Sequence, residues 1–323
     1  GVRLCLCGQS KWWVRTWNIE DSGNWEAGVA PCSGRQITLP PRPDHPLFLG
    51  SALKVGSLSL PLDGELIFGS DAKLTLDNAI DDSCKFPQEG SEWTHTGSDS
   101  WWDPFAWSHE KNFRDPSASP VPHVHRVPCT ADVAGFPNAS ASLFQVHLAP
   151  PRIAVQALSV GKKNYTTSEF ASYARSSSRF IGTSSGLVPI YIESADPCWD
   201  ITGCPCARDT PGDGQPQFLS RAAAICEVAR PRCPKPICSN PIPMEGFCCD
   251  TCGADIAINH GGMLALTNVK QLMSGFMADE QPKDVLSHAA KMDDDKIHVY
   301  FTATSNQGDY QAAAKAFHQN FIK

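Results

Sequence analysis

Apolar and polar positions alternate most regularly between residues 58 and 76. Leu58, Leu60 and Leu62, then Leu66 and Phe68, then Leu74 and Leu76 fall on every second residue. Asp63-Gly64 and Gly69-Ser70-Asp71 break the alternation with turn residues. A period of two buries one face of a strand and leaves the other wet. The three strands start about eight residues apart. They predict a stacked coil of β-structure in which each rung buries its apolar face on the following one. An ordinary meander within a sandwich is the competing expectation. A stack has ends, and each end offers unpaired backbone donors and acceptors to another chain.

Further strand-like runs cover 36–39, 124–127, 143–148, 153–160 and 187–192, with Pro and Gly between them. Residues 169–179 read as a short helix or loop. Tryptophans are dense in the same region: Trp12, Trp13, Trp17 and Trp25, then Trp93, Trp101, Trp102 and Trp107. Large rings that cap open β-ends explain them better than carbohydrate stacking does. After residue 254 the pattern becomes a small α/β unit. Strands are expected at 255–258 and 296–302, and helices at 268–277 and 310–322, the last with Ala314, Phe317 and Phe321 on one face.

The cysteines change the picture most. Nine of the fourteen lie between Cys198 and Cys252, a stretch rich in proline and poor in apolar mass. Crosslinks must hold such a segment, and this usage points to an oxidising compartment. Cys249-x-x-Cys252 has zinc-ligand spacing, but the adjacent Cys248-Cys249 suits bridges to two places, so disulfides are expected. Cys204, Cys206, Cys226, Cys233, Cys238, Cys248, Cys249 and Cys252 would close among themselves in one of 105 ways. Cys198 then joins Cys32, Cys84 and Cys129, with one bond tying the module to the β-body. The sequons Asn138-Ala-Ser140 and Asn164-Tyr-Thr166 agree with secretion and mark Asn138 and Asn164 as glycan acceptors.

A chain of 323 residues, 41% hydrophobic and 19% charged, holds two or three folded domains. Its formal net charge of −7, without a Lys/Arg stripe, excludes a nucleic-acid footprint. No apolar run reaches the roughly 18 residues that span a membrane. The expected divisions are 1–10, a signal-peptide remnant or a tail with a Cys5/Cys7 pair; 11–195, the β-region; 196–253, the Cys-rich module; and 254–323.

Catalytic signals are weak. Gly182-Thr-Ser184-Ser-Gly186 fits a nucleophile elbow, and His260-Gly-Gly262 mimics part of an oxyanion hole. A strand follows the serine where a helix is required, and the His-Gly-Gly stands on the wrong side of it. His123-x-His125 has no acidic cluster nearby to complete a metal site. Asp81-Asp82 and the run from Asp293 to Asp295 read as solvated loops. No catalytic group, cofactor or metal is expected.

Several motifs carry a resemblance. Leu60-Pro-Leu-Asp-Gly-Glu-Leu66 is the most distinctive, and others follow in order around it. Lys11-x-Trp-Val14, Asn24-Trp25 and Pro31-Cys32-x-Gly34 precede it. Trp102-x-Asp-Pro104, Trp107, Val127-Pro-Cys129, Cys204-x-Cys206 and Cys248-Cys-Asp-x-Cys-Gly-Ala254 come after. Together they resemble the amnionless family, membrane-anchored partners of the endocytic receptor cubilin; the end of the Cys-rich stretch also resembles von Willebrand factor type C modules. The resemblance implies a mainly β ectodomain with a β-helix-like N-terminal region, a disulfide-rich type C-like module and a small C-terminal α/β unit. It also implies binding of the N-terminal region of cubilin, escort to the apical plasma membrane and endosomes, and uptake of ligands such as intrinsic factor–cobalamin, with a membrane anchor after this chain. Leu58, Leu60, Leu62, Leu66 and Phe68 are then the expected core and contact residues. The alternative is a secreted modulator that captures growth factors through the Cys-rich module.

Overall fold

The computed structural model describes residues 9–79, 81–95, 99–109, 120–182, 189–193, 200–203, 206, 220–306 and 308–321. Cys5, Cys7, Ser184, Cys198 and Cys204 lie outside these residues. Most elements are short strands.

After β1 (Ser10–Trp13), six strands make two circuits of three sides each. The first is β2 (Gln36–Thr38), β3 (Leu47–Leu49) and β4 (Ala52–Val55); the second is β5 (Ser57–Ser59), β6 (Leu66–Phe68) and β7 (Lys73–Leu76). Each side of the second circuit pairs in parallel with the same side of the first. The register sets Ile37 beside Leu58, Leu47 beside Leu66 and Leu53 beside Leu74. The strands legible in the alternation are thus three sides of one circuit and do not stack on one another. Each stacks on a strand 19 or 21 positions earlier. Pro61 explains why Leu58, Leu60 and Leu62 do not share a strand, since its nitrogen has no hydrogen for a ladder. At one corner Gly56 rests on Gly34, where a Cβ would come 2.9 Å from the Gly34 carbonyl carbon. Only glycine allows that approach.

The second stack repeats the device. β8 (Asp99–Ser100) and β9 (Trp107–Ser108) precede a single helical turn, α1 (His123–Arg126), where the sequence suggested a strand. β10 (Val133–Phe136), β11 (Val146–His147) and β12 (Ile153–Val155) form one circuit. β13 (Ala157–Val160) starts the next, followed by the hairpin strand β14 (Lys163–Tyr165) and helix α2 (Thr167–Ser176); β15 (Phe180–Ile181) and β16 (Ile190–Ile192) complete it. β10–β13, β11–β15 and β12–β16 all pair in parallel. Trp13, Trp101 and Trp107 fill this interior with Phe136 and Phe144, so these tryptophans are core and not end caps.

Among the described residues the Cys-rich segment has no core of its own. Ala224 and Ile225 of α3 (Arg221–Ala229), together with Met244, are buried in the cluster of the second stack. Among the described residues the disulfides are Cys32–Cys84, Cys129–Cys206, Cys226–Cys248, Cys233–Cys249 and Cys238–Cys252. Cys206 therefore does not close within the Cys-rich set. Packing of that segment on the stack brings Cys206 to Cys129, and among the described residues this bond ties the two together.

The C-terminal unit is an antiparallel sheet of β17 (Gly253–Ile258), β18 (Val285–Lys291) and β19 (Ile297–Ala303), with β19 in the middle. α4 (Leu266–Glu280) and α5 (Tyr310–Phe321) cover one face through Val269, Phe276 and Phe317. Tyr300, on the other face, is buried in the cluster of the second stack.

Candidate partner-binding surface

The two circuits of the first stack differ sharply in burial at matched positions. Inner Leu49 and Val55 are 1% and 0% exposed, whereas their register partners Phe68 and Leu76 are 51% and 63% exposed. Ile37, Leu47 and Leu53 are buried, but their partners Leu58, Leu66 and Leu74 are only half-buried. At the corner after β5, Leu60 and Leu62 stand 61% and 85% exposed. Leu62 donates its backbone N–H to Pro41 beneath it. Of the five expected core residues, then, Leu58 and Leu66 line the interior, Phe68 shares the face of Leu66 but is half in water at the open end, and Leu60 and Leu62 are exposed at the corner. Among the described residues β5, β6 and β7 each pair on one side only. The outer circuit is an apolar end with three open edges.

The far end of the second stack is covered. Leu158, Phe180 and Ile190 of its outer circuit stay buried because Phe170 and Ala174 of α2 lie across them. The Thr166 and Glu169 side chains form a reciprocal cap that starts this helix. The Thr167 hydroxyl accepts from the Ile192 N–H (2.8 Å) and donates to the Ile192 carbonyl (3.1 Å), which satisfies the edge of β16. β14 pairs with the edge of β13.

Residues 17–19 join the stacks. Phe48 of β3 donates to the Trp17 carbonyl and accepts from the Ile19 N–H; on the opposite side Trp17 N–H donates to Leu143. The Asn18 amide extends this bridge, donating to Ala141 and accepting from Leu143 N–H. Beside it His45 packs 4.7 Å from Trp17 and 5.4 Å from His95. His95 contacts Asn24 and Asp99, and Asp99 faces Arg15. Burial pushes the His45 imidazole below its ordinary range.

Under the Cys129–Cys206 bond, Lys11 Nζ lies 2.6 Å from Asp132 Oδ2 and donates to the Val127 carbonyl. Burial draws this ammonium below its usual value, against the pull of Asp132. Asp132 approaches the sulfurs of Cys129 and Cys206. Those sulfurs are bonded to each other and Lys11 balances the carboxylate, so the cluster is a crosslinked ion pair. His123 is enclosed by Phe105 and Phe247, and its Nδ1 accepts from Cys248 N–H, a packing role. Asn138 and Asn164 are both exposed. No helix among the described residues is long and apolar enough to cross a membrane.

Comparison with known proteins adds the family. A family model described as Amnionless matches residues 10–312. The chain belongs to the amnionless family. Human protein amnionless is 27% identical over 271 residues, covering 80% of this chain and 56% of the human protein. The dog protein amnionless is 28% identical, with 80% and 55% covered. The pig protein amnionless is 31% identical over 68% of this chain and 40% of its own length. The chain thus spans about half the length of the curated relatives it matches. The motifs that carried the amnionless resemblance have distinct structural duties. Leu60–Leu66 forms the outermost corner of the open end. Asp103 of the Trp102-x-Asp-Pro104 motif, 1% exposed, pairs with Arg232 of the Cys-rich segment, whose guanidinium lies over the Phe105 ring. Three cysteines of the Cys248–Cys252 motif anchor the ladder of crosslinks.

Proposed function

We propose that the chain is the extracellular part of an endocytic receptor subunit, without catalytic activity, that binds by β-strand completion. In this reading the first stack is a short β-helix whose outer circuit, residues 57–76, accepts strands of the N-terminal region of cubilin. Main-chain hydrogen bonds to the free edges would supply affinity, and the pockets around Leu58, Leu66 and Phe68 would supply specificity. The observation that supports it is the contrast between matched ends: one stack carries its own helical lid and the other leaves the equivalent apolar circuit in water. Such an edge is a liability unless a partner covers it. In the same reading the chain escorts cubilin to the apical membrane, held by an anchor that follows it, for uptake of ligands such as intrinsic factor–cobalamin. Asn138 and Asn164 carry glycans in this reading. The growth-factor alternative is not favoured, since α3 and Met244 of the Cys-rich segment are spent on packing against the second stack.

Co-purification of the whole chain with a cubilin N-terminal fragment, followed by sizing, is the test. The double variant Leu62→Asp/Phe68→Asp changes exposed positions and so leaves the fold standing. Loss of capture with an unchanged melting temperature is the expected result. Capture equal to wild type would remove the outer circuit from the interface.

A further inference from the structure

Charge is distributed unevenly along the first stack. The outer circuit and its continuation, residues 57–82, hold Asp63, Glu65, Asp71, Asp77, Asp81 and Asp82 against a single base, Lys73. The inner circuit beneath it, residues 35–56, holds Arg35, Arg42 and Lys54 against Asp44. The acids sit at the corners of the outer circuit. Asp63 and Glu65 lie between β5 and β6, Asp71 lies between β6 and β7, and the remainder follow β7. Asp63, Glu65, Asp71, Asp81 and Asp82 are exposed. Asp77 pairs with Lys54 at 3.1 Å, and Asp81 faces Arg35 and accepts from Ser83. Backbone and side-chain donors hold the Asp77 and Asp81 carboxyls below their ordinary range. An apolar face with open edges is therefore ringed by carboxylates.

We infer that this end takes a strand segment with alternating apolar residues flanked by Lys or Arg, and that its capture is electrostatically steered. The inference rests on the strand-completion reading and specifies the chemistry of the strand. Free edges accept any backbone, and apolar pockets tolerate many side chains. The corner carboxylates discriminate by rejecting acidic flanks and attracting basic ones. Rim charges act mainly on the association rate, because exposed charges attract at a distance and bind weakly once in contact.

Association of the cubilin fragment with wild type is measured at about 0.01 M and about 1 M salt, between which the screening length falls from roughly 30 Å to roughly 3 Å. The same rates are taken for Asp63→Asn/Glu65→Gln/Asp71→Asn, which removes charge and keeps side-chain size. At low salt the variant is expected to associate about tenfold more slowly than wild type, and at high salt the two should coincide. Dissociation should differ by less than about twofold. A variant that associates as fast as wild type at low salt, with the same salt dependence, overturns the inference. Leu62→Asp/Phe68→Asp is run beside it. Loss of capture there leaves strand completion standing whatever the charges do, whereas normal capture brings down strand completion and this inference with it.

Discussion

Lys11→Met places a neutral side chain of similar length where an ammonium is 2% exposed. The lost groups are the ion pair to Asp132 Oδ2 at 2.6 Å and the hydrogen bond to the Val127 carbonyl at 3.0 Å. Asp132 stays behind, 3% exposed at its side chain. Breaking a buried pair by removing one partner costs about 3–5 kcal/mol, because the remaining charge has no counterion. Asp132 is not fully deserted, since Gln9 N–H and Cys129 N–H still donate to its two oxygens. Those donors place the expected loss near the lower limit, about 3 kcal/mol. Against a total stability of roughly 5–15 kcal/mol this is a large fraction.

A double-mutant cycle separates charge from shape. Asp132→Asn removes the charge and keeps one acceptor, so Lys11→Met/Asp132→Asn should lose less than the sum of the single variants, with a coupling of about 1–3 kcal/mol. Urea unfolding followed by tryptophan fluorescence gives the midpoints, since Trp13 and Trp107 are buried in the same stack. A cost under about 1 kcal/mol for Lys11→Met, or a double variant that loses the full sum, would show that Asp132 does not depend on the Lys11 charge.

Asn18→Ala removes the amide that joins the stacks and should cost about 1–3 kcal/mol, with faster hydrogen exchange at Trp17, Ile19 and Leu143 than elsewhere. Replacing Cys129 and Cys206 together by Ser should cost about 2–5 kcal/mol, read from the urea midpoint. His298 lies between Asp255 and Asp294, which outweigh burial and raise its pKa above 6.5. Its stabilisation is full below that value and fades as pH rises through the raised pKa, so His298→Gln should lose most at acid pH and converge with wild type on the alkaline side. His45 has the opposite sign. Burial lowers its pKa from 6.5, so the unfolded chain takes the proton first and wild type weakens as pH falls; His45→Phe should flatten that limb of the unfolding curve.

The alternation at 58–76 made one circuit legible but concealed its partner. The signal that reveals the partner is a repeat: Leu47-Phe-Leu-Gly-Ser51 reappears as Leu66-Ile-Phe-Gly-Ser70, on sides that pair in parallel. Each side is three or four residues long, too short for periodicity to distinguish a strand from a corner. The run at 153–160 shows the same difficulty. It alternates as if it were a single strand, yet Gln156 separates β12 from β13, which belong to different sheets. The C-terminal helices were legible because α4 and α5 run for 15 and 12 residues with apolar positions a turn apart. β18 was hidden by its Ser287, His288 and Lys291, whose suitability for a strand depends on neighbours. The Lys11–Asp132 pair and the Asn18 joint lie over 100 residues apart in sequence. No local pattern announces such contacts.

The carboxylates around the open end also explain why such an end can exist in a free chain. Two copies meeting end to end would set open edge against open edge and bury Leu62, Phe68 and Leu76, which favours self-assembly. The same contact brings six acids on one copy against six on the other, and like charges face to face cost several kcal/mol in low salt. A chain with its own lid needs no such guard, and the outer circuit of the second stack, under α2, keeps its apolar residues out of water. Asp63→Asn/Glu65→Gln/Asp71→Asn should therefore dimerise at lower concentration than wild type in sedimentation, and raising salt should move wild type towards the variant. Adding Leu62→Asp should return the variant to monomer, because it restores charge at the contact. A charge-stripped variant that stays monomeric at every salt concentration would mean that the acids guard nothing, and that twist or corner shape alone keeps the edges apart.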